Sequence, residues 1–127
     1  MELRVLAWVA LGGAIGSVLR FTVGGWAQRM TGWSQFPVGT LVVNVLGCLL
    51  IGLIGGLADY RQVLDPGQRA FLMIGVLGGF TTFSAFAFET LGLMQDGALL
   101  RAGVNVVLQT VLGLTAATVG YVGARFL

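Results

Sequence analysis

Four long apolar runs, divided by short islands that hold nearly all the charge, leave this chain few ways to fold. The runs cover residues 5–26, 38–58, 70–94 and 102–123. Arg4 and Arg29 bound the first, Pro37 and Asp59 the second, Arg69 and Asp96 the third, Arg101 and Arg125 the fourth. A helix crossing about 30 Å of hydrocarbon needs roughly 20 apolar residues, and each run is long enough. Charged side chains make up 9% of the sequence, against about 25% in an ordinary soluble domain, too few to cover a water-soluble surface. The expected fold is therefore an all-α integral membrane protein. It forms one domain over 1–127, with transmembrane helices at about 4–28, 37–58, 69–95 and 99–125. The first run could be mistaken for a secretory signal. Its apolar stretch is longer than the 7–15 residues or so of a signal's core and holds Arg20, so it reads as a retained helix.

The same composition excludes several chemistries. The chain has no His and one cysteine, Cys48, so imidazole metal sites, His-based catalysis and an internal disulfide are all ruled out. With no paired carboxylates either, no nucleophile and base can be placed together, and an enzyme is not expected. A net charge of +2 makes no basic patch for nucleic acid; the partner this surface fits is the lipid bilayer.

Arginines are the usual guide to orientation. Four helices put Arg4, Arg61, Arg69 and Arg125 on one side of the membrane, and Arg29 and Arg101 on the other, joined by Arg20 if it leans that way. The bias is one or two charges. Either the orientation is poorly fixed or both orientations are made, and dual topology would pair subunits head to tail.

Glycines recur four apart, at Gly12 and Gly16, Gly52 and Gly56, and Gly75 and Gly79. Small residues at that spacing let helix backbones approach closely in lipid. Four thin helices enclose little room, so a pathway through this protein calls for two copies.

Polar groups at membrane depth are costly and mark candidate sites. Arg20, two-thirds along the first helix, either snorkels to the interface or sets a positive charge at a pore mouth. Thr40 and Asn44 share a face of the second helix; the amide serves a helix–helix hydrogen bond or offers an N–H to a passing anion. On the third run, Gly78-Gly79 followed by Thr81 and Thr82 is a poor combination for continuous helix. A break there, near the middle of the span, frees backbone carbonyls that a bound cation, or the hydroxyls of Thr81, Thr82 and Ser84, would have to satisfy. Phe83 and Phe86 share a face and can turn their positive ring edges inward, or simply pack. Glu89 lies nearer the end of that helix, solvated or paired, with Arg20 as one partner. Asn105 and Gln109 form a short polar stripe on the fourth helix, ending at Gly113 and Ala117.

Three segments in this order resemble the Fluc (CrcB) family of fluoride channels over essentially the whole chain. They are Gly12-Gly13-Ala14-Ile15-Gly16-Ser17-Val18-Leu19-Arg20, then Gly39-Thr40-Leu41-Val42-Val43-Asn44, then Gly78-Gly79-Phe80-Thr81-Thr82-Phe83-Ser84-Ala85-Phe86. The resemblance implies a multi-pass protein of the bacterial inner membrane, an antiparallel dual-topology homodimer with two pores, carrying fluoride passively out of the cytoplasm and relieving its toxicity. It implies a structural Na⁺ at the dimer centre, not transported, on the backbone carbonyls of Gly78 and Thr81. The implied pore residues are Asn44, Phe83, Phe86 and Gln109, with Thr40, Thr82 and Ser84 as further polar wall and Arg20 and Glu89 toward the vestibule. The fourth helix departs from the family pattern, placing Gly113 and Ala117 where polar residues are expected.

The rival is a proton-coupled exporter of the small multidrug-resistance type, also four-helical and dual-topology. Such exporters depend on a carboxylate well inside the first helix, and here Glu2 is the only acid before the second. A non-transporting assembly subunit would not need the polar faces.

Overall fold

The structure, a computed structural model, describes residues 2–127. Helix α1 spans Leu3–Thr31, α2 spans Val38–Arg61, α4 spans Phe83–Gln95 and α5 spans Leu99–Gly123, closed by a 3₁₀ turn at Ala124–Phe126. Between α2 and α4, α3 runs in three joined pieces: an α-turn at Pro66–Arg69, a π-helical stretch at Ala70–Val76 and an α-turn at Leu77–Phe80. Together α3 and α4 make one span, Pro66–Gln95, and the four spans, of 29, 24, 30 and 28 residues, are each apolar enough to cross a membrane.

Local chemistry sets the ends. Gly32, at φ 65°, closes α1 in the left-handed conformation glycine adopts without strain. The hairpin to α2 is tied by Gln28, whose Nε2 donates to the carbonyls of Trp33 (2.6 Å) and Phe36 (3.0 Å) while its Oε1 accepts from Gly39 N at 3.0 Å. Helix α3 opens on a capping box: the Asp65 carboxylate accepts from Gln68 N (2.9 Å) and the Gln68 side chain from Asp65 N (3.1 Å), with Pro66 in the first turn, where its missing N–H costs nothing.

Two helix pairs carry the packing: α1 lies along α3, and α2 along α5. Both are backbone-to-backbone contacts of the kind that small residues permit in lipid. A Cβ placed on Gly16 would run into Val76 O, on Gly12 it would stand 2.5 Å from Phe71 O, and on Gly79 2.6 Å from Gly13 O. In the other pair a Cβ on Gly52 would meet Ala117 O, and one on Gly56 would lie 2.7 Å from Tyr121 O. On the membrane face where α2 ends and α5 finishes, Tyr121 OH donates to Asp59 Oδ2 (3.2 Å), Arg69 pairs with Asp59 at 3.8 Å, and Arg125 Nε donates to Tyr60 OH at 2.8 Å. These groups are exposed, so the cluster registers the helix ends more than it stabilises them.

The third span breaks at Thr81 (φ −89°, ψ 159°) and Thr82 (φ −152°, ψ 115°), inside the Gly78–Thr82 segment that the sequence marks, at its threonines and not at its glycines. The glycines stay helical because Gly79 is used for close approach to α1. The β-branched threonines accept extended backbone readily. The π-helical stretch before it, where Leu77 N reaches back five residues to Leu72 O, has no counterpart in the sequence reading.

Overpacking a close crossing costs about 1–3 kcal/mol. Gly16→Ala is expected to lower the thermal unfolding midpoint of the detergent-solubilised protein by several degrees. Gly92→Ala, where a Cβ meets nothing within 4 Å, should leave it unchanged or raise it; equal losses from both would remove the crossing from consideration.

Candidate functional site

The break is held open by one side chain. Asn44, in the second turn of α2, accepts at Oδ1 from Thr82 N (2.7 Å) and donates from Nδ2 to Thr82 O (3.0 Å) and to Gln109 Oε1 (3.0 Å). It pairs with both backbone groups of Thr82 as a strand neighbour would. Thr82 then caps α4: its hydroxyl accepts from Ala85 N at 3.1 Å and lies 3.3 Å from Ser84 Oγ. An N-cap hydroxyl of this kind satisfies a donor that no helical carbonyl reaches.

These bonds have a second effect. In an unbroken helix Thr82 N would bond to Gly78 O and Ala85 N to Thr81 O. Both donors are diverted, the first to Asn44 and the second to the Thr82 hydroxyl. Gly78 and Thr81, the two positions the sequence singles out for a cation, thus each lose their helical donor, whereas Leu77 O keeps both Thr81 N (3.0 Å) and Thr81 Oγ1 (2.9 Å). Gly78 is exposed on the chain's outer face. Among the described residues no group of three carboxylate, thiol or imidazole side chains could hold a metal.

Beside the break lies a cavity of about 500 Å³, open laterally and lined by Asn44, Gly78, Thr81, Thr82, Phe83, Phe86 and Gln109, with Gly113 and Ala117 of α5. The rings of Phe83 and Phe86 meet edge to face at 5.5 Å, and Phe83 is 79% exposed in the single chain. A second cavity, of about 690 Å³, contains Arg20, Arg29, Thr40 and Glu89, and Thr82 belongs to both walls.

Thr40 Oγ1 donates to Glu89 Oε1 at 2.7 Å. Arg20 and Glu89 share the second cavity, but no ion pair joins them among the described residues; the carboxylate's partner is Thr40. Asn105 is fully buried and belongs to neither cavity: Nδ2 donates to Thr90 Oγ1 (3.0 Å), whose own proton goes to Phe86 O at 2.7 Å. The sequence reading overlooked Thr90 and Gln28, the latter on the Arg20 cavity. Gln28 sits at an interfacial helix end, where a polar residue draws no notice. Of the two readings of Asn44, the structure has the helix–helix hydrogen bond, to Gln109, and the second amide proton goes to Thr82 O.

A sequence model of the family described as CrcB-like protein, Camphor Resistance (CrcB), matches residues 7–121. The chain belongs to the CrcB family. A relative from Opitutus terrae is 48% identical over 119 residues, covering 92% of this chain and 89% of its own length. Another, from Methylobacillus flagellatus, is 45% identical over 113 residues, covering 89% and 88%. Both relatives are named fluoride-specific ion channel FluC. The matched CrcB region contains every residue of both cavities. As a CrcB chain with four spans, this is a multi-pass membrane protein.

Removing an N-cap hydroxyl costs about 0.5–2 kcal/mol. Thr82→Val is expected to lower thermal stability in detergent by that amount, while Thr82→Ser retains most of it; no difference between the two would show that the α4 cap is dispensable.

Proposed function

We propose that this chain is a fluoride-selective channel that lets the ion leave the cytoplasm passively, and that it works as an antiparallel homodimer. The observation that carries the reading is the cavity at the break. Neutral donors and aromatic rings line it, it has no charged side chain, and it stands beside a cavity bearing Arg20 and Arg29, in a chain whose family relatives are named for fluoride.

Fluoride is small and strongly hydrated, so a pore must replace its water with donors at close range yet let it leave again. The arginines draw anions to the mouth without binding them in the passage. Within it, the Thr82 hydroxyl, the Gln109 amide and the rims of Phe83 and Phe86 meet the ion, since ring edges carry positive character; the Ser84 hydroxyl stands outside the lining, 3.3 Å from that of Thr82. Asn44 and Thr40 line the way, and Glu89, held by Thr40, stands at the second cavity's wall. Chloride, being larger and more weakly hydrated, gains less from the same donors.

The cavity's lateral opening and the exposed Phe83 support a wall completed by a second copy. The near balance of arginines supports that copy's being inverted. Gly78 O and Thr81 O, stripped of their helical donors, fit a hard cation that prefers neutral oxygen. Two carbonyls cannot enclose an ion, but two copies meeting at Gly78 would double the number. Na⁺ in that position would supply fixed positive charge and clasp the subunits.

The test is efflux from liposomes containing the purified protein, read by a fluoride electrode. Rapid fluoride release is expected, silent for chloride and indifferent to a pH gradient. Release that needs a proton gradient would replace the channel with coupled exchange. Phe83→Ile and Phe86→Ile should slow fluoride by about tenfold or more if ring edges contribute a few kcal/mol to the passage, and unchanged flux would leave the rings as packing. Preparing the protein with a large organic cation in place of Na⁺ should abolish flux, and Na⁺ should restore it; full activity without Na⁺ would end the clasp.

A further inference from the structure

We infer that the cavity where α1 and α3 begin is a binding site for the phosphoethanolamine headgroup of a membrane lipid. Its occupancy does not depend on which ion the chain carries.

The cavity has a volume of about 530 Å³, and its walls include Glu2, Arg4, Trp8, Asp65, Gln68 and Phe71. Small-molecule sites occupy about 300–1,000 Å³. Two of the four spans start here, Leu3–Thr31 and Pro66–Gln95, so the cavity opens at the level of the headgroups. Arg4 and Trp8, four apart, share a face of α1, and the ring stands one turn deeper, about 6 Å along the helix axis. Trp8 meets Phe71 of α3 edge to face, with centroids 5.7 Å apart. A tryptophan at that depth lies where headgroup gives way to acyl chain. The walls thus grade from charge to aromatic surface in the direction in which a phospholipid does the same.

The charges are unspent. Among the described residues the one ion pair joins Arg69 to Asp59; Arg4, Glu2 and Asp65 share the cavity without closing on one another. The capping box adds two more groups. Asp65 Oδ1 accepts from Gln68 N (2.9 Å) and Gln68 Oε1 from Asp65 N (3.1 Å). Asp65 Oδ2 is left as an acceptor, and both protons of Gln68 Nε2 are left as donors. The cavity therefore offers a guanidinium and an amide N–H to a phosphate, and two carboxylates to an ammonium, which also gains from an aromatic face.

The balance of charge selects the lipid. Basic clusters collect anionic headgroups, but here one arginine stands against two acids, and phosphatidylglycerol would bring negative charge to a site already negative. Choline has no N–H to give a carboxylate. A primary ammonium beside a phosphate satisfies both halves of the wall.

The test is lipid uptake. Purified, delipidated protein in detergent would be titrated with phosphatidylethanolamine, phosphatidylcholine and phosphatidylglycerol of identical acyl chains, and bound lipid counted by native mass spectrometry. Saturable uptake of one phosphatidylethanolamine per chain is expected, with the other two about tenfold weaker, the scale of one charge-assisted hydrogen bond. Arg4→Ala should weaken phosphatidylethanolamine by about the same factor. Asp65→Asn keeps a residue that caps a helix as well as Asp does, so it retains the fold. It should weaken phosphatidylethanolamine and strengthen phosphatidylglycerol, inverting the preference, which loss of a merely structural group would not do. Arg101→Ala, at a cavity on the opposite membrane face that has no acid in its wall, should leave phosphatidylethanolamine uptake unchanged.

Equal uptake of the three lipids, or a native preference for phosphatidylglycerol, would overturn the inference. So would native uptake by both Arg4→Ala and Asp65→Asn, or a loss from Arg101→Ala equal to that from Arg4→Ala. Water-soluble phosphoethanolamine separates the lipid from a free ligand. In large molar excess it should fail to displace the lipid, whose chains add apolar contact; full displacement would assign the site to a soluble ligand instead.

Discussion

Everything distinctive about this fold follows from one side chain satisfying one residue's backbone. A helix broken inside a bilayer leaves N–H and C=O groups with no water to turn to, each at a cost of several kcal/mol. Asn44 takes both such groups of Thr82, and the Thr82 hydroxyl takes the next donor along. With those three bonds made, the span can stop and restart. Its second half, α4, is then free to diverge from α1, and the cavity that holds Arg20 and Glu89 is the space between them. The polar groups thus have a structural task before they have any task toward an ion. The amide in α2 meets the break because Gly47, one turn on, lets α2 come against Phe80 and Thr81: a Cβ there would collide with the Thr81 side chain.

Close glycine crossings and the open cavity are two sides of the same economy. Helices α1 and α3, and α2 and α5, pack backbone to backbone, and so enclose almost no volume between them. Helix α4 has no such crossing, and none of its residues is buried. A 127-residue chain built this way has a rigid half-shell and one loosely covered helix. In water, an exposed face bearing Phe83 and Phe88 would signal a partner surface. In lipid the apolar exposure alone means little, and the informative exposures are polar: Gly78 with its released carbonyl, and Ser84. Those are the groups that lipid covers badly.

Reading the sequence yields the spans and which residues belong together more readily than it yields their bonding. Apolar runs bounded by Arg and Asp mark four helices because hydrocarbon thickness imposes a length. Glycines four apart mark close crossings because only hydrogen fits there. Asn44, Thr82, Phe83, Phe86 and Gln109 all carry signals as polar or aromatic residues at depth, and the fold does gather them. What composition and spacing do not carry is the direction of each hydrogen bond. Thr81 and Thr82 hold the break, two residues beyond the glycines, because Asn44, nearly forty positions away, reaches Thr82 and not Gly79. Glu89 bonds to Thr40 and not to Arg20 for a similar reason: which of two half-buried neighbours comes within 3 Å depends on helix rotation. The π-helical stretch at Ala70–Val76 has no local signature at all; one extra residue in a turn is a response to packing against α1.

Under the proposed channel reading, the arrangement of charge also bears on how the cavity wall admits an anion and still discriminates. Fixed positive charge in the narrow part would hold an anion too well, since attraction grows steeply as the surroundings lose water. Here the arginines stand in the neighbouring cavity, and the wall at the break is neutral. Its attraction comes from N–H and O–H dipoles and ring edges, which act only at contact distance. Such groups reward an ion small enough to touch several of them at once, so selectivity comes from how closely they are set. Closeness is set in turn by the amide of Asn44, which draws α2, α5 and the broken span to within hydrogen-bond length of one another. The bond network that makes the helix break tolerable is therefore the same one that sets the spacing of the cavity wall beside it.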